Sequence, residues 1–161
     1  MVSKDIIYKI QEAFSNVSYP GDDKIVYDNR PQHLECKAIA ETFSGKHWLE
    51  MSDEKLRYNA DSIFFFTADA FIYFLPAFMI FVLKDFYGSD TIPHTLVHCL
   101  SAPEESDTNF HKEKFFKIMN KLNEHQKEAI KAFLQFLKKE YPKEFPFRDI
   151  ELALDSLKEF G

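Results

Sequence analysis

Apolar residues recur at helical spacing along most of the chain. Ile6, Ile7, Ile10 and Phe14 fall at i, i+1, i+4 and i+8, one face of a helix that Ser3 is placed to cap and that ends before Tyr19, Pro20 and Gly21. Residues 20–31 set Asp22, Asp23, Asp28 and Asn29 around Ile25, Val26 and Tyr27, which suits a loop with one short extended piece. A second helix is expected from about Gln32, with Leu34, Ala38, Ile39 and Phe43 on one face and Gly45 as its stop. Trp48 and Leu49 anchor the connection that follows. Ser52, with Asp53 and Glu54 behind it, marks the start of a short third helix through Leu56, Arg57 and Tyr58.

The pattern then changes character. Over residues 63–86 the polar face disappears: Thr67 and Asp69 stand where a cap and a first-turn acid belong, and residues 70–83 carry no charge. A helix apolar all round must be wrapped by other helices or by lipid. Its length decides between them, because a membrane span needs about twenty apolar residues and Asp69 falls inside any longer window. Pro76 in the interior removes one backbone hydrogen bond, so a kink is expected between about Phe71 and Pro76.

Beyond Tyr87, Gly88 and Ser89, Pro93 opens a short helix with His94, Leu96, Val97 and Leu100, and residues 101–108 form an acidic loop. Phe110, Phe115, Phe116, Met119 and Leu122 suggest a lysine-decorated helix. Asn123 and Gln126 make a capping-box pattern ahead of Ala129, Ile130, Phe133, Leu134 and Leu137, and Pro142 marks the end of that helix. A last helix carries Ile150, Ala153, Leu154 and Leu157 and closes at Gly161. The expected architecture is a mostly α, single-domain bundle of about six to eight helices around the central Pro-kinked helix, spanning residues 1–161.

Composition sharpens this. Eighteen Phe imply a core filled by rings, while four Gly leave little material for the turns of an all-β fold. Helical spacing with interspersed charges at residues 1–16 argues against a secretory leader, so a cytoplasmic location is expected. Cys36 and Cys99 then read as buried, reduced thiols in no electropositive setting. Net charge is −6, yet residues 112–139 hold eight Lys against Glu113, Glu124 and Glu128, which leaves the remainder of the chain at −11. Such an acidic remainder argues against general nucleic-acid affinity and favours a basic protein partner.

Candidate chemistry is sparse. No nucleophile elbow, phosphate-binding loop or dinucleotide fingerprint is present, and Thr95 stands where the zincin pattern needs Glu after the first His, so no cofactor is implied. His94 and His98, four apart, together with His33 and Cys36, three apart, would supply four zinc ligands if their helices met. Asp61 and Asp69 flank the apolar helix, where capping and salt bridging explain them better than acid chemistry. Lys46 with Trp48, and Arg57 with Tyr58, hold the residue types of interface hot spots.

The stretch Phe43, Gly45, Lys46, Trp48, then Leu56, Arg57, Tyr58, then residues 61–67, and above all Ala70, Phe71, Tyr73, Leu75, Pro76, Ala77, Phe78 resembles a family of small bacterial proteins of unknown function, DUF6714. The run Leu122, Gln126, Ala129, Phe133, Leu134, Leu137 is similar to that family's closing helix. Ala68 stands where the family pattern has Pro, and Ile72 where it has Arg, so any role of that Arg is not kept here. The resemblance implies no catalytic residues.

Two function classes remain. The favoured one is a non-catalytic protein-interaction domain, of an immunity or accessory type, that covers a basic surface on another bacterial protein. The alternative is a small-molecule or metal-binding protein, or an enzyme, with a pocket beside Pro76, where a freed carbonyl and aromatic walls meet.

Overall fold

The computed structural model describes residues 2–160, and among these residues the chain forms eight α-helices, four short 3-10 segments and no strand. The expected closure at Gly161 lies outside the described residues. Helix α1 (Ser3–Ala13) buries Ile6 and Ile10 as its spacing predicts, but Ser3 is its first helical residue and Val2 takes the cap position without a side-chain hydrogen bond. The loop that follows contains the expected extended piece, a single antiparallel bridge between Val26 and Phe66.

Helix α2 (Leu34–Phe43) begins later than expected, because His33 turns out to cap it: its ring Nδ1 accepts the Cys36 amide at 3.2 Å. That start sets the face. Cys36, Ile39 and Phe43 point inward, while Leu34, at 73% exposure, and Ala38 face solvent, a correction to the expected stripe. Helix α3 (Asp53–Tyr58) starts at Ser52, whose Oγ accepts the Lys55 amide at 3.2 Å.

Helix α4 (Ala68–Lys84) is the central helix, running through Pro76 as one continuous element. Thr67 caps it as expected, and all of its residues except Asp69, Ile80 and Lys84 are buried. The wrapping is done by α1, α3, the turn Trp48–Glu50, α5 (Ile92–Cys99) and α6 (Asn109–Lys121). Helix α7 (Glu124–Glu140) packs on α1 and on α8 (Asp149–Glu159), and its Asn123–Gln126 capping box is formed in both directions. No helix among the described residues is long and apolar enough to cross a membrane.

Large rings fill the interior as the composition predicts. Phe43, Phe66 and Phe74 meet with centroids 4.9–5.6 Å apart, two of the three contacts edge-to-face, the arrangement that places a ring's positive edge on its neighbour's negative face.

Candidate functional site

Arg57 and Tyr58 lie at the end of α3, and the two side chains diverge. Arg57, still exposed, lies back along the surface: its Nε donates to the Gly88 carbonyl at 2.6 Å, and the guanidinium carbon lies 5.5 Å from the Phe81 ring centroid. Lys84 and Asp53, 3.0 Å apart, make a second tie between α3 and the end of α4. A Cβ at Gly88 would lie 2.0 Å from the Asp85 carboxylate that accepts the Gly88 amide, so a larger residue there would displace that side chain and its hydrogen bond. Tyr58 is left 90% exposed, and Tyr87, beside Gly88, is 72% exposed. The result is a tied helix end with two exposed tyrosines, in segments that also expose Glu54, Lys55, Lys84, Asp85 and Asp90.

Lys46 and Trp48 do not extend this surface. Trp48 is only 3% exposed and belongs to the core, with its Nε1 lacking a hydrogen-bond partner, and Lys46 is half-buried. The reason is local: His47 caps the turn Trp48–Glu50 by accepting the Leu49 amide at 3.0 Å, and that turn packs Trp48 toward α4 while Leu49 faces outward.

The four proposed metal ligands are brought together only in part. His33 and Cys36 meet, with Sγ 4.0 Å from Nε2, but His33 is occupied at both nitrogens, accepting the Cys36 amide at Nδ1 and meeting the Tyr27 hydroxyl at Nε2, 3.1 Å away. With Nδ1 accepting, a neutral His33 carries its proton on Nε2 and donates it to Tyr27. His94 stacks on Phe145 at 4.7 Å and contacts the Glu144 carbonyl, and His98 lies near Phe64. Among the described residues no group of three or more His, Cys, Asp or Glu side chains is placed to hold a metal ion. Asp69 pairs with Lys121, and Asp61 is exposed.

The surroundings of Pro76 are closed as well, for Pro76 itself is buried. One turn earlier, Asp69 and Ile72 line a cavity of about 380 Å³ with Tyr19, Lys121 and Gln126. Ile72 carries the carbonyl that Pro76 leaves without a helical donor.

A family model described as a family of unknown function, DUF6714, matches residues 2–159. The chain belongs to DUF6714. No curated protein and no solved structure matches it. Membership therefore assigns no chemistry, and the sites of this DUF6714 protein are read from its own side chains.

One of them escaped the sequence pattern. Lys114, on α6 of a lysine-rich segment, is only 8% exposed, and its Nζ donates to the Ile63 carbonyl at 2.9 Å, 5.8 Å from the Phe71 ring centroid and 6.0 Å from that of Phe110. Among the described residues no carboxylate pairs with it. Burial pushes its pKa down to about 8 and pushes the neighbouring Cys99 thiol up to about 11. The available signal was phase: position 114 shares a helical face with Phe110 and Ile118, at i−4 and i+4.

Proposed function

We propose that this DUF6714 protein is a non-catalytic protein-interaction domain, of an accessory or immunity type, that engages a basic protein partner through the surface around Arg57 and Tyr58. One observation carries the reading: an almost fully exposed tyrosine on a helix end whose neighbouring arginine is already tied down by a backbone hydrogen bond and a ring contact. The tied arginine fixes the helix end that carries the tyrosine, and Tyr and Arg are enriched among interface hot spots. The net charge of −6 supports a basic partner. The setting is taken as the bacterial cytoplasm, which suits its two free thiols.

Capture of partners by the tagged chain at low and high salt tests this. A specific, salt-sensitive partner that Tyr58→Ala no longer retains is the expected result. Capture unaffected by that substitution, or no partner at low salt, defeats the proposal.

A second reading, small-molecule binding, is favoured by a cavity away from Pro76. It is the one that contains Lys114.

A further inference from the structure

Lys114 lines a cavity of about 320 Å³ bounded by α5, α6, the start of α8 and the loop between α5 and α6. Its buried lining includes Phe115 and Ile118, and its outer lining carries His98, Glu104 and His111. Half-buried Cys99, Asp107 and Asp149 lie between these levels. Polar groups of the loop bond within it and to α8: Asp107 accepts the Glu104 amide at 2.7 Å, and the Ala102 amide donates to Ser156 Oγ of α8 at 2.8 Å.

A lysine used for structure alone is normally paired with a carboxylate when buried, and among the described residues this one is not. Three carboxylates line the same cavity, yet none reaches the ammonium within ion-pair distance. The nitrogen is held instead by one backbone carbonyl and two ring faces. The carbonyl and the rings suit an ammonium, and it is burial without a counter-charge that favours the neutral amine, which keeps a lone pair while it donates one N–H to Ile63.

The geometry points to Lys114 as a carbonyl-capturing amine, a site where a small aldehyde or ketone enters the cavity and is bound as an imine. This goes beyond the proposed partner surface and uses none of its residues. In the step, the Nζ lone pair attacks the carbonyl carbon and a C–N bond forms. Both protons of the attacking amine pass to the carbonyl oxygen, the C–O bond breaks and water leaves, with no change of oxidation state. His98 and His111 are placed on the exit side, where proton traffic to solvent passes. The ligand's remote end should be neutral or cationic rather than anionic, since Glu104, Asp107 and Asp149 line the cavity it would occupy.

The test uses three four-carbon aldehydes that differ in the charge of the far end: butanal, 4-trimethylammoniobutanal and succinic semialdehyde. Each is incubated with the whole protein at pH 8 and reduced with borohydride, and the modified lysines are mapped by peptide mass spectrometry. At that pH about half of Lys114 is neutral, against less than about 1% of an ordinary lysine. Lys114 should therefore carry about tenfold more adduct than the next lysine with the neutral and cationic probes, and less with succinic semialdehyde. Lys114→Arg, which keeps the charge, should abolish the adduct, with circular dichroism confirming the fold. Labelling spread evenly over the lysines, or Lys114 left unlabelled, overturns the proposal, and both outcomes are read on the native protein, so a variant that fails to fold leaves the test intact. Selective labelling that is strongest with succinic semialdehyde overturns the charge preference.

Discussion

Thr67 Oγ1 donates to the carbonyl of Lys24 at 2.6 Å, joining the cap of the central helix to a loop more than forty residues earlier. The same oxygen accepts the Ala70 amide at 3.1 Å, so one hydroxyl both starts α4 and fixes the segment whose Val26 bridges to Phe66. Thr67→Val keeps the shape and removes both bonds. It should cost about 1–2 kcal/mol in urea unfolding, with Thr67→Ser recovering most of the loss. Equal stability of the valine variant would show that the cap contributes nothing.

The core and the candidate surface should separate cleanly. Phe74→Ala, in the Phe43–Phe66–Phe74 ring cluster, should lose about 3–5 kcal/mol. Tyr58→Ala should stay within about 0.5 kcal/mol of the parent, which also licenses its use in partner capture.

Lys114 gives stability a pH dependence of known sign. Its folded pKa is about 8 and its ordinary value 10.5, so between these values the unfolded chain binds more protons than the folded one and stability rises with pH. The favourable contribution is complete above about 10.5 and is lost as pH falls through about 8. Comparing the parent with Lys114→Met cancels the tyrosines that titrate in the same range. The methionine variant should be the more stable below pH 8, by about 3 kcal/mol on the linkage relation, and the gap should close by pH 10.5. A gap independent of pH would mean that the buried amine keeps its ordinary pKa.

Both cysteines should be poor nucleophiles in the native state. Cys36 is buried and its thiol pKa is raised by desolvation, and burial takes Cys99 to about 11 against a partial opposing effect of the Lys114 charge. Reaction with an aromatic disulfide reagent at pH 8 should run about a hundredfold slower than for an exposed thiol, and reach full rate in urea. Rapid native reaction at Cys99 would contradict that burial.

Where the sequence was legible, a local signal matched the global fold. Thr67, Ser52 and the Asn123–Gln126 pair are capping chemistry, decided within one turn, and all three act as expected. The charge-free run of α4 announced a wrapped helix. Failures arose where one residue's role depended on the next element. The spacing of His33 and Cys36 suits two ligands on one helix, yet His33 is a cap, which moves the α2 start and turns Leu34 and Ala38 outward. A lone Trp beside Lys46 has no period to interpret, and only the packing of its turn on α4 places Trp48 inside. Lys114 hid among lysines that are solvated or paired, as Lys121 is with Asp69 and Lys138 with Glu151. His94 and His98 share a helix, but no spacing on one helix reports which residues a second helix brings to it.

The completeness with which α4 is enclosed has a consequence for how such a chain can change over time. Each residue added to an α-helix rotates everything after it by about 100°. On an amphipathic surface helix, part of that displacement is absorbed by the solvent side. Between Ala70 and Leu83 every residue but half-buried Ile80 is enclosed, and a one-residue insertion would turn Phe78, Phe81 and Val82 out of their places with almost no solvent side to absorb the shift. This segment can vary by exchange of side chains in place, and its length is frozen.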